Sequence, residues 1–155
     1  MLIKEIMTTD VISVKRSTTF SELLEKFKDF HLFPMVPVIE NTGKLVGIVS
    51  FRDLISIFTP VKNDIIKRMP FVEQEEADIF NVDLAPEMGK LIVVEDIMDK
   101  RFIALEEEMT IEEAFNLMKL HKKDELPVID KEGNLKGLVG IFDIVCSVFK
   151  ERGIL

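Results

Sequence analysis

Ser50 and Asp53, in the segment Gly47-Ile48-Val49-Ser50-Phe51-Arg52-Asp53, have the types and spacing to read a vicinal diol. A carboxylate at a helix start accepts hydrogen bonds from both hydroxyls of a ribose, and a serine three residues earlier supplies or accepts a third. Amides opening the same helix, aided by its dipole, face phosphate oxygens. Gly47, before the strand end, is expected to let a ligand come close to the backbone. The same spacing also makes a helix cap, with Ser50 as N-cap and Asp53 as the acid of the first turn, and this second reading needs no ligand.

The segment recurs as Gly137-Leu138-Val139-Gly140-Ile141-Phe142-Asp143, in which Gly140 stands where Ser50 did. A neutral hydrogen bond contributes roughly 0.5–1.5 kcal/mol. Losing the hydroxyl therefore weakens a ligand by about tenfold at most and leaves Asp143 a candidate ligand residue of a second, lesser site.

These residues need elements to position them, and an internal repeat supplies those elements twice. At an offset of 91, Ile6-Met7 matches Ile97-Met98, Ile12 matches Ile103, Thr19 matches Thr110 and Glu22 matches Glu113. After a one-residue deletion the offset is 90, and Pro37-Val38-Ile39 matches Pro127-Val128-Ile129. Each copy reads as strand, helix, strand, strand, helix. Val11 to Val14 and Phe102 to Leu105 are short apolar strand candidates. Thr19 with Glu22, and Thr110 with Glu113, have capping-box spacing. Phe20, Leu23, Leu24 and Phe27, like Ile111, Ala114, Phe115 and Met118, keep the period of one buried helical face. Two apolar strands follow in each copy around Asn41-Thr42-Gly43 and Lys131-Glu132-Gly133, then helices over roughly 51–58 and 142–150.

The expectation is an α+β fold of two pseudo-symmetric repeats, 1–58 and 92–155, packed together because a unit of about fifty residues has little core of its own. A linker over 59–91 contains Pro60, Pro70, Pro86 and the acidic run at 73–76, with some local helix expected around Asp64 to Met69. It is long for a plain connection, which opens a lid or partner-docking role.

Composition narrows the function. The formal net charge of −8 argues against gripping nucleic acid or an anionic membrane surface. Cys146 is the only cysteine, so an internal disulfide cannot form, and it reads as a packed thiol because no histidine lies near it in sequence. His31 and His121 read as dipole partners near helix ends rather than metal ligands. No signal-peptide pattern, membrane-length apolar run, phosphate-binding glycine loop, nucleophile elbow or zinc pattern is present, so the expectation is a soluble cytoplasmic protein that is not an enzyme and holds no metal.

With Ile6-Met7 and Ile97-Met98 opening the copies, Pro37-Val38-Ile39 and Pro127-Val128-Ile129 in their middles, and the glycine-to-aspartate segments at their ends, the repeat resembles the CBS domain. Two in tandem resemble a Bateman module. The resemblance implies a regulatory module without catalysis, whose clefts accept adenosine-containing ligands such as AMP, ADP, ATP or S-adenosylmethionine, none required as a cofactor. The family's ribose pattern is met in full by Gly47, Ile48, Val49, Ser50 and Asp53, whereas Gly140 departs from it.

The resemblance also implies adenine held by Ile12 with Met35 and Val36, and by Ile103 with Leu126, although apolar strand residues are read equally well as core. Basic residues that meet phosphate before the middle proline in the family are replaced by Pro34 and Met35, and by Asp124 and Glu125. Arg52, Lys15, Arg16, Lys122 and Lys123 are the other candidates for phosphate, each readable as a solvated charge. A homodimer formed through the helices and an unidentified protein partner complete what the resemblance implies. The rival reading is a structural interaction module that binds no nucleotide, with Ser50 and Asp53 acting only as a cap.

Overall fold

The computed structural model describes residues 1–58, 79–80 and 85–155. Among them the elements are α1 (Ile3–Ile6), α2 (Phe20–Phe27), β1 (Val36–Ile39), β2 (Leu45–Val49), α3 (Phe51–Ser56), α4 (Met88–Leu91), α5 (Val94–Ile97), β3 (Leu105–Glu106), α6 (Ile111–His121), β4 (Glu125–Ile129), β5 (Leu135–Gly140) and α7 (Ile141–Glu151). The acidic run and the expected helix within the linker lie outside the described residues.

Each copy is built on an antiparallel hairpin, β1 with β2 and β4 with β5. The turns place Gly43 and Gly133 at φ of 93° and 85°, a backbone region that favours glycine over any side chain. The capping boxes form as the sequence predicts. Thr19 Oγ1 accepts from the Glu22 N–H at 3.2 Å while Glu22 accepts from the Thr19 N–H, and Thr110 with Glu113 repeats the pair. The buried faces are narrower than predicted, because Leu24 is exposed and Phe115, at the related position, is only partly covered.

The first strands are shorter than expected. Leu105–Glu106 pairs parallel with β4, and in the first copy only Val14 bridges Val38. In the first copy the chain before the bridge leaves Ile12 exposed, whereas Ile103 at the related position is half-buried. α2 ends at Phe27, so His31 lies beyond the helix whose dipole it was expected to meet, whereas His121 does close α6.

The two copies exchange their opening segments. Residues 2–8 pack on the second copy: Ile3 N–H donates to the Met109 carbonyl at 2.8 Å, and Thr8 and Leu138 exchange backbone bonds of 2.9 Å. Residues 92–99 pack on the first copy in the same way, with Phe20 N–H donating to Ile92 at 2.8 Å and Asp99 pairing with Ile48. Two separate cores result. Ile3 is wholly buried among Leu105, Ile111, Met118, Leu126 and Val139, while Val94 and Met98 are buried among Val14, Phe20, Leu23, Val36 and Val49. The hairpin turns meet where Leu45 N–H donates to Gly133 and Leu135 N–H to Gly43, both at 3.0 Å. Arg16 adds a surface clasp, pairing with Glu40 at 3.2 Å and with Glu95 of the exchanged segment at 3.3 Å.

Candidate ligand-binding clefts

The end of β2 hands the chain directly to α3, and the junction is fixed by one carboxylate oxygen. Asp53 Oδ2 accepts from the Ser50 N–H at 2.7 Å and from the Ser50 hydroxyl at 2.9 Å. Ser50 Oγ therefore donates to Asp53, and Asp53 Oδ1 takes no part in this cap. At the second junction Asp143 Oδ2 accepts from the Gly140 N–H at 2.8 Å. Both helices thus begin on the same acid-to-amide bond, and the hydroxyl is an addition that α7 does without. A Cβ on Gly140 would meet the Asp124 carbonyl oxygen at 3.5 Å, an ordinary contact, so glycine is not demanded there by space.

The glycine that opens each motif has a different cause from the one expected. A Cβ on Gly47 would lie 2.7 Å from Met98 Sδ, and one on Gly137 would lie 2.6 Å from the Thr8 carbonyl oxygen. The close approach at each of these glycines is made by the segment exchanged from the other copy.

Two cavities lie between the repeats, related by the internal pseudo-symmetry. The Ser50 cleft has a volume of about 180 Å³ and is lined by Met35, Ile48, Ile103, Leu126, Asp99, Arg101, Lys123 and Glu125 besides Ser50. The Asp143 cleft, about 310 Å³, has Ile12, Met35, Phe27, Phe30 and Leu138 on its apolar walls, with Thr8, Asp10 and Glu125 beside Asp143. Each cleft draws on both repeats: Ser50 faces Ile103 and Leu126 of the second copy, and Asp143 faces Ile12 and Met35 of the first. Met35 and Glu125, at related positions, line both clefts. Burial pushes the Glu125 carboxyl up, the Asp143 carboxylate pushes it further, and the Met35 N–H opposes both.

Not every residue expected at a site reaches one. Val36 is wholly buried in the first core and lines neither cleft, because alternate residues of a strand face opposite sides and its side chain takes the inward one. Arg52 is exposed on α3 and lines neither. Asp53 stands at the edge of the Ser50 cleft through its bonds to Ser50 rather than on the lining itself. Among the other proposed cations, Lys15 donates to the Glu40 carbonyl at 3.2 Å, Arg16 is held in its clasp, and Lys122 caps α6; only Lys123 lines a cleft. Arg101 was missed. The offset of 91 that matches Ile12 with Ile103 also sets Arg101 against Asp10, and that comparison was the available signal.

Known proteins bear on these clefts. A family model described as CBS domain matches residues 3–59 and 94–149. An uncharacterized protein of Methanocaldococcus jannaschii, MJ1426, is 30% identical over 94% of this chain and 89% of its own. The inosine-5'-monophosphate dehydrogenase of the same organism is 26% identical over 91% of this chain, which spans only 22% of that enzyme. Among solved structures, CBSX2 in complex with AMP superposes with a TM-score of 0.68 at 25% identity, covering 97% of this chain and 98% of that one. Two matched copies, the exchanged openings and the paired clefts lead to one conclusion: the chain belongs to the CBS domain family, as a tandem pair.

Proposed function

We propose that this chain is a non-catalytic, cytoplasmic regulatory module that binds an adenosine ligand, AMP, ADP or ATP, in the Ser50 cleft. Binding shifts the packing of the two repeats and so changes the hold on a protein partner. The observation that carries this reading is the cleft itself. Its apolar walls at Ile48, Ile103 and Leu126 suit a flat base, and Ser50 on the lining is bonded to Asp53, the carboxylate this reading assigns to the ribose diol. CBSX2, similar over nearly the whole chain, was solved in complex with AMP. A ligand between walls from two repeats has affinity that depends on their relative placement, which is the requirement for a population shift.

The same reading pairs two chains through α6 and α7. Ile111, Phe115, Ile144, Val145, Val148 and Phe149 line an almost wholly apolar groove of about 260 Å³ there, and a second copy presenting the same face would cover it.

Calorimetry with AMP and ATP on the native chain and on Asp53→Ala, with folding checked by circular dichroism, tests the ligand. The expected outcome is saturable binding that weakens about tenfold or more in the variant, since bonds to a charged acceptor contribute about 1.5–3 kcal/mol each. No binding at millimolar ligand, or equal affinity in a folded Asp53→Ala, leaves Ser50 and Asp53 as a helix cap in an interaction module.

A further inference from the structure

The two clefts share a fold but not a charge. In the Ser50 cleft two cations, Arg101 and Lys123, stand with Asp99 and Glu125. In the Asp143 cleft the ionisable side chains on the lining are Asp10, Glu125 and Asp143, with no lysine or arginine among the described lining residues. Pseudo-symmetry makes the contrast pairwise. Arg101 answers to Asp10, and, counting back from the paired strands, Lys123 answers to Phe33 and the exposed Arg52 at the first motif to Phe142. The pair of Thr8 with Asp99 runs the other way, but on the linings as a whole two cations offset two acids on the Ser50 side, whereas three acids stand without a cation on the Asp143 side.

Resting on the adenosine reading above, we infer that the pair is charge-sorted. Arg101 and Lys123 make the Ser50 cleft selective for a phosphate-bearing adenosine ligand, and the carboxylates of the Asp143 cleft keep phosphate out, so one nucleotide binds per chain. The Ser50 cleft is the smaller, at about 180 Å³, so the phosphate end of a nucleotide projects to the mouth, where both cations are exposed. A phosphate entering the other cleft meets three acids at close range in a partly desolvated cavity, where charge repulsion is least screened. Pairing the missing hydroxyl at Gly140 with this repulsion makes the second cleft poor for AMP on two independent counts.

Calorimetry with AMP and adenosine, on the native chain and on the double variant Arg101→Ala with Lys123→Ala, decides the matter. The native chain is expected to bind one AMP, about tenfold tighter than adenosine, with the difference shrinking as salt rises. In the double variant the preference for AMP over adenosine is expected to disappear. The salt series on native protein gives the same answer should the variant not fold. Two AMP per chain, or an AMP preference that survives both substitutions or is insensitive to salt, overturns the charge sorting while leaving adenosine binding intact. Failure of adenosine and AMP alike to bind overturns the adenosine reading and this inference together.

Discussion

At Gly137 the added Cβ of an alanine would sit 2.6 Å from a backbone carbonyl oxygen, and backbone cannot swing aside. At Gly47 the nearest atom is the sulfur of Met98, at 2.7 Å, on a side chain with three rotatable bonds. The two glycines are equivalent in the repeat yet unequal in what they would cost to replace. Gly137→Ala is expected to destabilise by about 1–3 kcal/mol, as overpacking does, and Gly47→Ala by less. Urea denaturation of both variants checks the order; equal losses would place the strain elsewhere. The recurrence of glycine was plain in the sequence, but its cause was not. A tight approach between strand and ligand leaves the same residue as a tight approach between strand and strap, and only the fold separates them.

At the scale of elements, what was legible is what local chemistry decides. Thr19 with Glu22, and Gly43 and Gly133 in their turns, act on neighbours within a few residues, so their patterns carry over into structure. The helix faces were legible only in part. Ile111, Ala114 and Met118 face the core, while Phe115 at the intervening position lies along the α6–α7 groove. An apolar period reports burial without saying against what. Covering this groove with a second chain predicts that Val145→Glu combined with Phe149→Glu, both exposed in the single chain, converts a dimer into a folded monomer. Sedimentation velocity reads the mass directly, and a native chain that sediments as a monomer at high concentration removes the dimer.

Across the whole molecule, the exchange of opening segments was the least legible feature. Ile6-Met7 and Ile97-Met98 marked where each copy begins, but nothing within either segment states that it packs on the other copy. The composition of the clefts shares this origin, since Ile103 joins Ser50 and Ile12 joins Asp143 only because the copies interlock. The exchange makes a crossed prediction. Ile3→Ala, at a wholly buried site, is expected to cost about 2–5 kcal/mol and to loosen the second core. Val94→Ala, a smaller truncation, should loosen the first. Native-state hydrogen exchange is expected to show lost protection in β3 to β5 for the first variant and in β1 and β2 for the second. Losses confined to the copy that each residue opens would contradict the exchange.

The interlocking also sets an order of events during synthesis. Ile3 leaves the ribosome ahead of every strand, yet its place in the core is not closed until Ile144 has followed. The first hairpin, meanwhile, completes its own core as soon as Val94 and Met98 arrive. The segment made earlier is thus the one settled later: its backbone partners Met109 and Leu138 emerge only after Val94 and Met98 have completed the other core, and that interval is when a chaperone or a second nascent chain has most to hold.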